Sequence, residues 1–348
     1  MKLTAVRLLV VAAAVIGGAT VFSQAEQPYQ AQWEKSAHNN TKTSMLESTV
    51  EQRQASAAHC GRCHSEQGYL AWLPQQQKGT PGNILGPNGQ PATVEYLSSI
   101  GLNKAQVRPV TCATCHDAKG GIRVEHETGP LPSGFSATAV GTGAVCMTCH
   151  NTRNGRVQWD AVSKGNYTAP HYSAQADVLM GKNFFFVNDT GDTASVHAKY
   201  NADSCVSCHK NQAKEPHTFA VSKNACTSCH GLRYGGANVQ DPVKFLMSKL
   251  RGAILAQFRA AAPNLASIAP YEGGTVKPPI ALKIGDIKSL DSIQSSGGQL
   301  SFTITTTGGE KYTARIADFR VGMATTDAAA IPNSHALIKA SWNYAMLY

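Results

Sequence analysis

One short pattern occurs five times in this chain and uses all ten of its cysteines. The copies are Cys60-Gly-Arg-Cys63-His64, Cys112-Ala-Thr-Cys115-His116, Cys146-Met-Thr-Cys149-His150, Cys205-Val-Ser-Cys208-His209 and Cys226-Thr-Ser-Cys229-His230. Two thiols three positions apart can add to the two vinyl groups of one porphyrin. The next residue then lies under the ring, where its imidazole nitrogen binds iron as the proximal ligand. Disulfides and zinc sites also use C-x-x-C, but neither needs histidine directly after the second cysteine. Histidine is 12 of 348 residues, so five such placements by chance come to roughly 5 in 10⁸. The pattern reads as covalent attachment of five haem c groups.

Five porphyrins decide what can fold around them. The first cysteines lie 52, 34, 59 and 21 residues apart, spreading the attachment sites over residues 60–230. That stretch is rich in Gly, Pro, Asn and Ser, with loops over 78–91 and 129–143. We expect a mostly irregular multihaem cytochrome c fold, with short helices carrying the motifs and long loops packed on haems. If each ring buries about 400 Å² of apolar surface, it contributes about 10 kcal/mol as an upper figure. The porphyrins are expected to replace a side-chain core, so that this part does not fold without them.

The two ends read differently. Lys2 and Arg7 precede an apolar run from Leu8 to Phe22, and Ser23-Gln24-Ala25 offers small residues where a signal peptidase cuts. The run is shorter than the 20 or so residues a membrane span needs. Residues 1–25 are therefore expected to be a signal peptide, 26–232 a pentahaem domain and 233–348 a haem-free domain. In that last part Asp241-Pro242 marks a helix start, followed at helical spacing by Val243, Leu246, Leu250, Ile254 and Phe258. Leu300, Phe302 and Ile304 alternate with polar residues, Gly308-Gly309 turns the chain, and Tyr312, Ala314 and Ile316 alternate back. A small α+β C-terminal domain with a β-hairpin is the expectation, closed by a helix holding Leu337, Ile338, Trp342 and Met346.

The formal charge of +9 invites a nucleic-acid reading, which the cofactors remove. Without the leader it is about +7, and ten ionised propionates would bring the loaded protein to about −3. No basic cluster interleaved with aromatics points to nucleic acid. Export, to the periplasm or the cell exterior, is the expected destination, with no transmembrane segment in the mature chain.

Five histidines are used proximally, leaving His38, His59, His126, His171, His197, His217 and His335 for the open iron positions. Seven candidates for five sites favour bis-histidine ligation, and Met147 lies inside a motif from which it cannot fold back onto a ring face. His171, His197 and His217 are close in sequence to motifs; His126 follows His116 by ten residues; His59 would have to serve a haem other than its neighbour's.

Several stretches resemble the multihaem c-type cytochromes that metal-reducing bacteria export for extracellular electron transfer. They are Trp33-Glu-Lys-Ser-Ala-His38, CGRCHSEQGYLAWL from Cys60 to Leu73, Leu131-Pro-Ser-Gly134 and AVCMTCHNTR from Ala144 to Arg153. His171-Tyr172, Ser195 to His230 with its Pro-His217-Thr-Phe, and Trp342-Asn-Tyr344 complete the set. The resemblance covers most of 30–232 and implies distal roles for His38, His171, His197 and His217. It leaves the fifth distal ligand open among His126, His59 and His335. Such relatives continue past the Trp-Asn-Tyr segment with a further His-containing stretch, which implies that its contact is missing or replaced here.

Two function classes follow. One is electron transfer through five haems to other redox proteins or a terminal acceptor, with the haems of Cys205 and Cys226 in contact. Self-assembly into filaments belongs to this class, with His38 donated to a neighbouring molecule. The other is a multihaem reductase of nitrite, hydroxylamine or a sulfur oxyanion. That needs an iron with an open position, whereas all five motifs end in histidine. No catalytic residues are expected outside the haems.

Overall fold

Short helices joined by Gly- and Pro-rich turns make up most of the structure before residue 232. The computed structural model describes residues 27–155, 170–171, 173–186, 194–211, 213–222, 224–232, 236–261, 265–268, 270–272, 275–278, 280–283, 286–296, 299–315, 320–321 and 334–347. The expected leader over 1–25 lies outside them. Among the described residues no helix is long and apolar enough to cross a membrane.

The contacts divide the chain into two compact units. The first takes the described parts of 1–71, 83–121 and 205–228. Its helix Ala57–His64 and the first part of the helix Glu66–Gln77 meet closely, since a β-carbon at Gly68 would stand 2.3 Å from the Gly61 carbonyl oxygen. Ser65 bridges their junction by donating to that oxygen at 2.8 Å and accepting from the Gly68 amide at 3.1 Å. Ala57, Ile84, Leu97 and Leu102 are fully buried in this unit, and Tyr69 nearly so. The motif helix Ala57–His64 is thus seated on aliphatic and aromatic side chains.

The second unit takes the described parts of 72–82, 122–204 and 229–348. Its main core joins Ile254, Leu282, Ile287, Ile304, Ala314, Trp342, Tyr344 and Met346 to Ala174 and Phe185. Residues on both sides of the expected boundary at 232/233 belong to this core. Trp342 is the keystone: its indole N–H donates to the Asn183 carbonyl at 3.0 Å, and its ring meets Phe185 edge to face at 5.8 Å. Asn343 completes the clasp, accepting from the Phe185 amide and donating to its carbonyl, both at 2.8 Å. Trp342→Ala should cost about 3–5 kcal/mol, as large-to-small changes at buried aromatic sites do. Thermal unfolding followed by circular dichroism measures that loss, and a variant melting like the native protein would remove Trp342 from this role.

The C-terminal strands are β1 (Leu265–Ile268), β2 (Tyr271–Glu272), β3 (Thr275–Val276), β4 (Ile280–Lys283), β5 (Ile287–Ser296), β6 (Gln299–Thr306), β7 (Lys311–Arg315) and β8 (Arg320–Val321). Among the described residues they form antiparallel sheets ordered β4-β1-β8, β2-β3 and β5-β6-β7. The hairpin of β6 and β7 pairs Ile304 with Tyr312 and Phe302 with Ala314, and Gly309 turns it with φ +91°. Alternation puts Ile304 and Ala314 in the core; Ile316 lies outside the described residues. The long helix runs from Gly236 to Ala261, so it starts before Asp241 and holds Pro242 inside. Proline inside a helix removes one hydrogen bond and crowds the carbonyl four residues before it, and Pro242 itself sits on an exposed stretch.

Candidate haem-binding sites

Every motif starts on a helix. The helices are Ala57–His64, Cys112–Cys115, Ala144–Met147, Cys205–His209 and Asn224–His230, with His116 just past its helix and Cys149 and His150 in the turn that follows Met147. Helical spacing puts the cysteines at i and i+3 on one side and the histidine at i+4 beside them. The amides of His116 and His150 donate to Cys112 and Cys146, both at 2.9 Å, which closes those turns. All ten cysteines carry thiols rather than disulfides, and none is fully buried. A structural cysteine is usually buried; these pairs are open to a ring laid across them.

The surroundings of each turn are set by neighbouring sequence. Thr111 caps the second motif, accepting from the Ala113 amide at 3.3 Å while Thr114 accepts from the Thr111 amide at 3.1 Å. The Thr111 hydroxyl also donates to buried Glu66, which holds Arg108 as an ion pair. Beyond His116, Asp117 takes the amides of Lys119 and Gly121, both at 2.9 Å. That tight turn, with Gly120 at φ +83°, aims the Gly120 carbonyl back at His116. The His116 Nδ1–H donates to it at 3.1 Å. His209 Nδ1–H donates to the Phe219 carbonyl at 2.8 Å, and His150 Nδ1–H to Gln175 Oε1 at 3.3 Å. With Nδ1 holding the proton, Nε2 carries the lone pair, which is the arrangement a ligating imidazole needs.

Two imidazole pairs face each other. His116 and His217 have ring centroids 6.4 Å apart with planes inclined at 34°, and His197 and His230 stand 5.9 Å apart at 76°. A metal with an imidazole nitrogen about 2.0–2.1 Å away on each side holds the two centroids roughly 6 Å apart. Both pairs match that span, and each joins a motif histidine to one of the expected distal ligands. Among the described residues no three His, Cys, Asp or Glu side chains gather as a metal-holding cluster.

His217 is braced for this position. Its amide donates to Gln32 Oε1 at 3.0 Å, and the Tyr29 ring lies 4.7 Å from its own. Its Nδ1 is buried without a hydrogen-bond partner among the described residues. Burial first, then the nearby charge of Lys210, holds its pKa below the usual histidine value, so the neutral, ligating form prevails at pH 7. His197 sits on the helix Val196–Tyr200, whose cap is the Ser195 hydroxyl accepting from Ala198 at 3.2 Å. Val196, Tyr200 and Leu232 flank the His197–His230 pair in sequence and are 66%, 83% and 93% exposed. The thiols, the imidazole tautomers and the ring spacing all fit haem c.

The other expected ligands are placed less directly. His38 packs edge to face on Phe219, centroids 4.8 Å apart, within its own chain. His171 lies beside the third motif, its amide donating to the Thr152 carbonyl at 2.9 Å and its Nδ1 paired with Ser173 Oγ at 2.8 Å. His126 holds φ +67° and exchanges backbone hydrogen bonds with Gly141 and Val140, at the entrance to that same motif. His59 pairs its Nδ1 with Asn83 Oδ1 at 2.8 Å. His335 falls on the helix Ser334–Leu347 with its side chain outside the described set.

Phe219, Gly120 and Gln175 escape sequence reasoning, although each bonds a motif histidine. Two of the three act through backbone carbonyls, which carry no sequence signature beyond the turns that aim them.

Asp177 is a further buried carboxylate near the third motif, fully screened from solvent. It accepts from the Thr152 amide at 2.8 Å and hydroxyl at 2.9 Å, and from Asn183. Desolvation outweighs these bonds and raises its pKa from 3.8 to about 6. The unfolded chain ionises near 3.8 while the folded one keeps its proton to about 6, so stability falls as pH rises between them and then levels. Two pKa units correspond to about 3 kcal/mol. Urea midpoints at pH 4 and pH 7 should show that fall in the native protein and not in Asp177→Asn. An equal fall in both would assign it to other groups.

The chain is similar to the C-type polyheme cytochrome OmcB of Geobacter sulfurreducens, in strain DL-1/KN400 and in strain ATCC 51573/DSM 12127/PCA. The identity is 27% over 190 residues in each case, covering 46% of this chain and 24% of the relative. This chain thus matches about a quarter of the length of these curated relatives. No family model matches it, and no solved structure does.

Proposed function

We propose that this protein is an exported electron-transfer cytochrome carrying five covalently bound haem c groups. The observation that carries the reading is the pair of facing imidazoles, His116 with His217 and His197 with His230, at 6.4 and 5.9 Å. The similarity to a polyheme cytochrome supports it. Bound haem iron supplies reversible one-electron chemistry. The chain's own residues do the rest: the cysteine pairs of each motif hold a ring covalently, His64, His116, His150, His209 and His230 take the proximal positions, and the Gly120 and Phe219 carbonyls with the Gln175 side chain orient His116, His209 and His150. His217 and His197 fill the distal positions of the second and fifth sites. His38, His171 and His126 are the proposed distal ligands of the remaining three.

Filament assembly belongs to the same proposal, and the placement of His38 on Phe219 of its own chain favours a ligand given within one molecule. The test is spectroscopy of the purified holoprotein. Pyridine haemochrome analysis should give five haems per chain, all six-coordinate and low-spin when oxidised. A stoichiometric high-spin haem together with turnover of nitrite or hydroxylamine would favour a reductase instead. Sedimentation beside His38→Ala decides the assembly: filaments that dissolve in the variant would restore a ligand donated across an interface.

A further inference from the structure

The segment Pro216–Phe219 serves two motifs at once. Its His217 faces His116 of the second motif at 6.4 Å. Two residues on, the Phe219 carbonyl accepts from Nδ1 of His209, the proximal histidine of the fourth motif, at 2.8 Å. The Phe219 ring meets His217 at 6.1 Å and His38 at 4.8 Å, edge to face in both cases. Phe219 also holds φ +57°, a left-handed conformation that a side chain bearing a β-carbon seldom adopts unless its surroundings impose it. All these residues lie in one compact unit.

We infer that the haem sites of Cys112/Cys115 and Cys205/Cys208 are direct neighbours, sharing Phe219 as the wall between their iron ligands. The inference rests on the haem reading proposed above and goes beyond it by giving a spatial order that the sequence order hides. The second and fourth motifs are 93 residues apart in sequence, with the third between them. Phe219 is a positioning residue. Its left-handed backbone turns the carbonyl toward His209 while its ring stays between His38 and His217. Electrons entering at the second site thus have a route to the fourth that does not pass through the third.

The test uses the full-length holoprotein and redox-poised EPR, in which each low-spin haem gives its own signal and potential. Phe219→Ala removes the ring and with it the packing on His38 and His217 that holds the left-handed turn, so the carbonyl bonded to His209 is released as well. It should shift two of the five signals and leave three unmoved. One of the two should be the signal that turns high-spin in His217→Ala. The other should be the one missing from a Cys205→Ser/Cys208→Ser double variant. Phe219→Leu should return both toward their native positions, which separates loss of a wall from general unfolding. A shift confined to one signal, or spread over all five with no rescue by leucine, would overturn the shared wall. A native haem count other than five, measured first, would overturn the haem reading itself and is distinguishable from either outcome.

Discussion

His217→Ala should keep all its covalently attached haems and turn one of them high-spin. The cysteines that hold the second haem are untouched by the change, whereas the imidazole 6.4 Å from His116 is gone. Loss of a nitrogen donor destabilises the ferric state, so the potential of that haem should rise. His197→Ala should do the same at the fifth site, where the facing ring is His230. Each variant should alter a different haem, and the double variant should show two high-spin centres. Magnetic circular dichroism or EPR of the oxidised proteins reads this directly. Five low-spin haems in His217→Ala would remove that residue from the ligand set.

A chain made without haem attachment should lose its structure unevenly. With five rings at about 10 kcal/mol each as an upper figure, the missing stabilisation exceeds the net stability of ordinary domains several-fold. The loss should be greatest around 194–232, where Val196, Tyr200, Val221 and Leu232 lie exposed. It should be least around 57–102, where Ala57, Ile84, Leu97 and Leu102 are fully buried by other side chains. Limited proteolysis followed by mass spectrometry should find the first cuts in the former stretch. Cuts appearing first within 57–102 would mean that the aliphatic core there depends on a porphyrin after all.

The positions of the five C-x-x-C-H turns could be read directly from the residues, because their spacing is a local signal that needs no tertiary information. The β6–β7 hairpin was readable for a similar reason, as alternation and a Gly-Gly turn are local signals. Ligand pairing was different. His217 meets His116 across 101 residues, a meeting fixed by Gln32 and Tyr29 at the far end of the chain. The helix start at Gly236 was obscured because Asp-Pro is a strong initiation signal that an exposed helix can override. The packing of the C-terminal helix on residues 183–185 was hidden for the plainest reason. Trp342 reads as one more apolar residue on a helix, and nothing in its neighbours names Asn183 and Phe185 as its partners.

That clasp bears on how such a protein can change. A tail whose indole locks onto Asn183 and Phe185 is not a detachable accessory. The segment it grips runs back through the helix Gln175–Met180 to Gln175, the partner of His150. Grafting a different tail onto the preceding part, or trimming it after residue 232, would therefore disturb the proposed third haem site from the opposite end of the chain. Modularity in this molecule stops where the tryptophan begins.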